Sequence, residues 1–226
     1  MAINKKSYWK NSFVLDKLLK RLVLKNRHLF LEYFSKVNTI QKETRILDVG
    51  TVPSFEKQEN LLLEKFKKNR ITCLSNVNCN ILKKKFKNLT ILVGDGRKMK
   101  IKSNSFDIVH SNATIEHVGN ERQQLQFLKE CIRVSKKSIF ITTPNRFYPI
   151  DFHTKKVFLH FLPKEIFRKI LLFFGDNFFS KEKNLNLLSE KDLIRLIEKT
   201  KIKNYEIKKH KFLFLTSNFL IQIYKR

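Results

Sequence analysis

Glycine and proline are scarce in this chain, with 5 and 4 among 226 residues. That excludes collagen-like repeats and Gly/Pro-rich linker sequence. The three cysteines, Cys73, Cys79 and Cys131, form no CxxC pair and no metal-ligand spacing. A disulfide framework is therefore not expected, and neither is a bound metal; buried, reduced thiols in a cytoplasmic protein are the simplest account. No run of about 18 apolar residues occurs, so no membrane-spanning segment is expected. The first twelve residues, MAINKKSYWKNS, lack an apolar core, so no signal peptide is expected. Acidic residues are also few: 20 against 47 Lys plus Arg, a net charge of +27. Such a charge attracts nucleic acid or anionic membrane. The lysines are scattered, however, in runs of at most three (83–85) with pairs such as 208–209, and no recognition module accompanies them. The charge is read mainly as solvated surface. Specific nucleic-acid binding is not expected, and peripheral contact with the inner face of an anionic membrane is a lesser option.

What the chain does have is an alternation of apolar runs and amphipathic segments. Ile46-Leu47-Asp48-Val49-Gly50 reads as a short buried strand ending in a sharp turn. Asp48 falls at the carboxyl end of that strand, the edge where open α/β sheets bind ligands. Gly50 allows the backbone to turn tightly there. A helix is predicted over 54–68, with Ser54 as its cap. Further strands are predicted over 71–74, 89–93, 106–110 and 138–142, with a short helix over 78–86. Asn120 and Gln123 are spaced as a capping box for a helix whose apolar face carries Leu125, Leu128 and Ile132. Strand and helix therefore alternate from 45 to 143, which argues for a mostly parallel sheet with right-handed crossovers.

Ahead of this block, 13–34 reads as an amphipathic helix with Leu15, Leu18 and Leu19 on its apolar face, broken near Asn26. It forms an appendage over 1–44, with core packing as its main expected role. Behind the block, 144–188 reads as a partly helical insertion, dense in phenylalanine over 144–180. Ser189 then caps a last helix, and two strands close the chain near 203–210 and 212–223.

Five strand ends direct polar residues to one edge: Asp48 and Gly50, Ser75 and Asn76, Asp95 and Gly96, Ser111 and Asn112, and Asn145. Two acids at the ends of strands 1 and 3 suit a ligand with a cationic amine and an adenine amino group, because a carboxylate accepts hydrogen bonds from both. With Gly94-Asp95-Gly96, Ser105-Phe106-Asp107-Ile108-Val109 and Thr114-Ile115-Glu116-His117-Val118 in place, the chain resembles the class I S-adenosylmethionine-dependent methyltransferases, in their small-molecule "type 11" branch. The resemblance covers about 45–200 and, more weakly, the closing strands. It implies a Rossmann-like, seven-stranded, mostly parallel sheet flanked by helices, with an aromatic helical insertion after strand 5, in a domain over 45–226.

The resemblance further implies that Asp48 and Gly50 meet the methionine part of S-adenosylmethionine, that Asp95 binds the adenine amine beside Gly96, and that Asn112 lines the cofactor floor. Ser75 and Asn76 stand where the family usually places an acid for the ribose hydroxyls. Thr51-Val52-Pro53-Ser54 replaces its glycine-rich turn. His117 is the first candidate to take a proton from an acceptor hydroxyl, since imidazole titrates near neutral pH. His153 is a second, and it joins Asn145 and Arg146 as a candidate acceptor contact. His28, His110 and His210 are assigned no role in the chemistry. The expected acceptor is a small or lipid-linked (or sugar-linked) molecule beneath a lid formed by the insertion. Two alternatives stand beside this: a methyltransferase-like binding protein without activity, and an RNA methyltransferase.

Overall fold

A computed structural model of the chain describes residues 13–56 and 59–225, with side chains from residue 21 onward. The central sheet has seven strands: β1 (Arg45–Val49), β2 (Arg70–Ser75), β3 (Leu89–Val93), β4 (Phe106–Asn112), β5 (Ser135–Pro144), β8 (Tyr205–Phe212) and β9 (Leu215–Tyr224). Their spatial order is β3-β2-β1-β4-β5-β9-β8. The first five run parallel, whereas β9 pairs antiparallel with β5 and β8 antiparallel with β9. Strand order reverses between β1 and β4, so the crevice outside their carboxyl ends is the switch point at which such sheets bind ligands.

Two cores sandwich the sheet. On one face, α3 (Glu121–Val134) and α5 (Glu190–Glu198) bury Phe127, Leu128, Cys131, Leu193 and Leu196 against Leu47, Val109, Ile139 and Ile221. On the other, α1 (Phe13–Val37) and α2 (Leu61–Lys65) bury Phe30, Phe34, Leu62 and Leu63 against Ile46, Ile71 and Phe140. The expected capping box of Asn120 with Gln123 starts α3, and the expected cap Ser189 forms a second box with Asp192 at the start of α5.

The structure corrects several local expectations. The α1 helix runs unbroken through Asn26, whose side-chain oxygen is 3.2 Å from His210 Nε2; Leu15, Leu18 and Leu19 lie outside the described side chains. Ser54 does not cap a helix. Its hydroxyl accepts from the Glu56 amide in a local turn, and α2 begins only after Asn60, at a left-handed φ of 54°. The Asn60 amide donates to the Val52 and Ser54 carbonyls and so holds the segment as a loop; residues 57–58 lie outside the described residues. The segment expected as a helix over 78–86 is a 3-10 turn at Asn80–Lys84. The buried face of α3 is centred on Gln124, Phe127, Leu128, Cys131 and Val134, while Leu125 and Ile132 are only partly buried beside it.

Between β5 and α5 the chain forms a small hairpin of β6 (Ile150–Asp151) and β7 (Lys156–Val157), a 3-10 turn at Leu159–Phe161 and the helix α4 (Lys164–Phe173). This segment has its own small core of Phe167, Leu171, Phe179, Leu185 and Leu187. It leaves other apolar side chains in solvent: Phe173 is 84% exposed, and Phe147, Phe158 and Phe174 are exposed as well. Among the described residues no helix is long and apolar enough to cross a membrane.

Cys73, Cys79 and Cys131 are free and fully buried. Burial pushes all three thiols up, and the neighbouring Asp48 carboxylate adds to this at Cys73 and Cys79. Since the thiolate is the reactive form, the folded protein at pH 8 should leave all three unmodified by a thiol reagent over minutes, and denaturant should release three reactive thiols per chain. A rapidly reacting thiol in the folded state would contradict this packing.

Candidate active site

The carboxyl ends of β1 and β4 open into a cleft of about 120 Å³ lined by Asp48, Gly50, Thr51, His110 and Asn112, with Arg27 and Phe30 of α1 on its far wall. The N-terminal helix thus packs on the core and also walls the crevice. Gly50 has φ +95°, and a Cβ there would overlap the Thr114 side chain; only glycine fits this turn without strain. Thr114 is itself held by its hydroxyl, 3.3 Å from the Val49 carbonyl and 3.2 Å from that of Asn112.

Asp48 is buried and committed on both oxygens. Oδ1 lies 2.7 Å from His110 Nδ1, and Oδ2 accepts from the Thr51 hydroxyl at 2.6 Å. His110 therefore belongs to the site, contrary to the sequence reading that left it without a role. It is the register partner of Asp48 across β1 and β4, a juxtaposition that only strand pairing creates. Asn112 accepts from the Thr142 hydroxyl at 2.6 Å and also lines the cleft.

The other expected cofactor residues lie along the same edge but outside this cleft. Ser75, at the end of β2, is buried, and the Val77 amide approaches its hydroxyl oxygen at 3.3 Å; Asn76 beside it is exposed. Asp95 is half-exposed and bound by Arg97 at 2.7 Å, whose guanidinium holds the carboxyl below its ordinary range. Gly96 packs against Phe127 of α3 and Val49, so a side chain there would strike the core.

A second cluster forms where the loop after β4 meets β5 and the insertion. Glu116 is fully buried; its Oε2 accepts from the Thr143 hydroxyl at 3.0 Å, and Oε1 has no hydrogen-bond partner among the described residues. His117 Nδ1 donates to the Asn184 carbonyl at 2.6 Å, and its Nε2 lies 3.1 Å from His153 Nε2. His153 Nδ1 lies 3.1 Å from Asp151 Oδ1, and Asp151 Oδ2 accepts from the Thr154 hydroxyl at 2.7 Å. His117 and His153, 36 residues apart, are thus in contact.

The electrostatics revise the expectation for His117. Burial, reinforced by the neighbouring His153, pushes it down to about 3. It stays neutral at physiological pH and is not the near-neutral base expected from an isolated imidazole. His153 moves up: burial opposes the charge, but Asp151 and Glu116 outweigh burial. Burial raises Glu116, with His153 and Arg27 opposing. A buried carboxylate with a raised pKa and one unengaged oxygen suits proton transfer better than His117 does.

The insertion's other two expected acceptor contacts, Asn145 and Arg146, spend their polar atoms within the protein. The Asn145 amide donates to the Thr216 carbonyl at 2.8 Å and its oxygen accepts from the Phe147 amide at 3.0 Å. Arg146 donates to the His160 and Leu162 carbonyls at 3.2 and 2.8 Å. Both side chains hold the insertion to itself or to β9; of the three expected acceptor contacts, His153 is the one in the cluster. Asn145→Ala should consequently lower stability by about 1–2 kcal/mol through the lost hydrogen bonds, seen as a lowered melting temperature. An unchanged melting temperature would return Asn145 to the acceptor contacts.

Residues 54–141 match the family described as a methyltransferase domain. No curated protein matches the sequence. Among solved structures, a SAM-dependent methyltransferase from Thermotoga maritima, described as a possible histamine N-methyltransferase, is 18% identical at a TM-score of 0.57, covering 95% of this chain and 97% of that one. A SAM-dependent methyltransferase from Aquifex aeolicus is 17% identical at a TM-score of 0.55, covering 95% and 99%. A phosphoethanolamine N-methyltransferase from Haemonchus contortus, solved with phosphomonomethylethanolamine and S-adenosylhomocysteine, is 16% identical at a TM-score of 0.55. That match covers 80% of this chain and only 38% of the larger protein.

Proposed function

We propose that this chain, a class I S-adenosylmethionine-dependent methyltransferase, transfers the methyl group to a small or lipid-linked acceptor bound beneath residues 144–188. The observation that carries the acceptor reading is the buried Glu116–His117–His153 cluster, built jointly by the loop after β4 and the insertion. It places titratable groups beside the carboxyl ends of the central strands without exposing them to a macromolecular surface.

The chain's own residues fit the cofactor. Gly50 leaves a cradle that a Cβ would fill, Asp48 and Asn112 line the cleft beside it, and Asp95 and Ser75 stand farther along the same edge. S-adenosylmethionine supplies an electrophilic methyl on a sulfonium, so the remaining task of the protein is placement and exclusion of water. Arg27 and Phe30 of α1 wall the cofactor cleft from one side. The insertion covers the acceptor side, where an acceptor hydroxyl laid against Glu116 and His153 meets groups able to take or hold its proton. Asp151 fixes the orientation of the His153 ring through Nδ1.

The surface of the insertion favours the lipid-linked end of this range. Val157, Phe158, Phe173 and Phe174 are exposed, and Leu213 and Phe214 at the β8–β9 turn are exposed too. Lys156 lies over the Phe174 ring at 5.1 Å. Apolar side chains set among lysines suit a peripheral, anionic membrane surface.

The reading is tested by calorimetric titration with S-adenosylmethionine, followed by S-adenosylhomocysteine release with amine, hydroxy-aromatic, lipid-extract and RNA acceptors. Binding, with turnover stimulated by a small-molecule or lipid fraction, is the expected result. Turnover stimulated by RNA alone would overturn the acceptor assignment, and absence of cofactor binding at millimolar concentration would leave only a methyltransferase-like scaffold.

A further inference from the structure

We propose that Glu116 Oε1, His117 Nε2 and His153 Nε2 bind one divalent first-row metal ion of the zinc, cobalt, iron or manganese group. The sequence reading expected no metal, because the three cysteines show no ligand spacing; the fold instead brings Glu116, His117 and His153 together. Their ligand atoms all lie within 4.8 Å of one another. The two Nε2 atoms are 3.1 Å apart, and Glu116 Oε1 is 3.8 Å from His153 Nε2. Two metal–nitrogen bonds of about 2.05 Å whose ends are 3.1 Å apart subtend about 98°, between the octahedral and tetrahedral angles. At those metal–ligand distances the carboxylate oxygen would sit about 3.1–3.4 Å from each Nε2, so the Glu116 side chain would have to move toward the imidazoles from its present 3.8 Å to His153.

The far atom of each ligand is already held. His117 Nδ1 donates to the Asn184 carbonyl, His153 Nδ1 faces the Asp151 carboxylate, and Glu116 Oε2 accepts from Thr143. Metal-binding histidines characteristically hand their second nitrogen to a carbonyl or carboxylate, which fixes the tautomer and leaves a lone pair for the ion. With both Nδ1 atoms protonated, two Nε2 lone pairs face each other beside a carboxylate oxygen. A proton on one Nε2 would reconcile the imidazoles, yet Glu116 Oε1 would still lack a partner among the described residues. A metal ion satisfies all three atoms at once.

Charge and access agree with this. Asp151 and Glu116 supply two carboxylates, opposed by Arg27, whose charge also reaches the cluster. Glu116 is sealed from solvent, but the His153 side chain is 17% exposed, so an ion can enter from that side and keep positions open. Two imidazoles and one carboxylate favour transition ions over calcium and magnesium, which take oxygen ligands. The open positions would suit an oxygen of the acceptor, although metal binding can be tested without acceptor or cofactor.

The full chain, stripped with chelator and desalted, is titrated with Co²⁺ and Zn²⁺ by calorimetry, and the visible absorption of the Co²⁺ form is recorded. The expected result is one ion per chain, with a visible band for Co²⁺. Affinity should fall about 100-fold in His153→Ala and at least about 10-fold in Glu116→Gln. If His153→Ala does not fold, Asp151→Asn carries the test, since loss of the partner behind a ligating histidine typically costs 10–100-fold in affinity. The proposal is overturned if wild type binds no stoichiometric ion, or if the ion binds with unchanged affinity in Glu116→Gln and Asp151→Asn.

Discussion

An Asp48→Ala variant is expected to lose about 3 kcal/mol of stability and its affinity for S-adenosylmethionine together. Asp48 is 6% exposed and holds two partners, His110 at 2.7 Å and the Thr51 hydroxyl at 2.6 Å. Removing the carboxylate orphans the buried His110 ring nitrogen and leaves the Thr51 hydroxyl only its longer, 3.3 Å contact with the Asp48 carbonyl; orphaning a buried polar group costs on the order of 1–3 kcal/mol. The same change empties the floor of the cleft beside Gly50. Thermal unfolding and calorimetry check the two halves separately. The chemically close Asp48→Asn should keep the Thr51 contact and lose less stability. Full stability with lost cofactor binding would assign Asp48 to the ligand alone, and the reverse outcome would make the Asp48–His110 pair purely structural.

The residues that the sequence made legible, and those it did not, separate along a physical line. The strands of the sheet read clearly because a doubly covered strand is a continuous apolar run: Ile46, Leu47 and Val49 are buried on both faces, as are Ile139, Phe140 and Ile141. The capping box of Asn120 and Gln123 and the Ser189 cap read clearly because such signals are local, within three residues. The expected helix over 54–68 shortened to Leu61–Lys65 because Asn60 adopts a left-handed backbone and spends its amide on the preceding loop, an outcome that periodicity does not encode. His110 was missed because its meaning depends on the register of β1 against β4. The buried cluster was half legible. Glu116 and His117 are adjacent in sequence, but only the path of the insertion carries His153 onto them. Asn145 and Arg146 were placed correctly beside the end of β5, yet their side chains turned inward to hold the insertion. Position along the chain fixes where a residue sits, whereas the hydrogen-bond needs of its neighbours decide where its polar atoms go.

A Glu116→Gln variant should turn over about 10²- to 10⁴-fold more slowly, the usual contribution of a positioned proton-transfer group, while S-adenosylmethionine affinity stays within about twofold. The substitution preserves shape, and the amide oxygen can still accept from Thr143, so the loop after β4 keeps its anchor. What it removes is the negative charge at Oε1, the oxygen without a partner among the described residues and 3.8 Å from His153 Nε2. That charge helps hold His153 above its ordinary range, so the variant should also shift the pH profile of methyl transfer. The sign follows from the linkage. Losing Glu116 lowers the His153 pKa, and in protein stripped of metal the limb of the profile governed by His153 should move to lower pH. The cofactor cleft is lined by Asp48, Gly50 and Asn112, not by Glu116, which is why binding and turnover should separate. Measured with the acceptor found by S-adenosylhomocysteine release, an unchanged kcat would remove the cluster from the chemistry. Loss of cofactor affinity in parallel with kcat would instead mean that Glu116 supports the fold of the cleft.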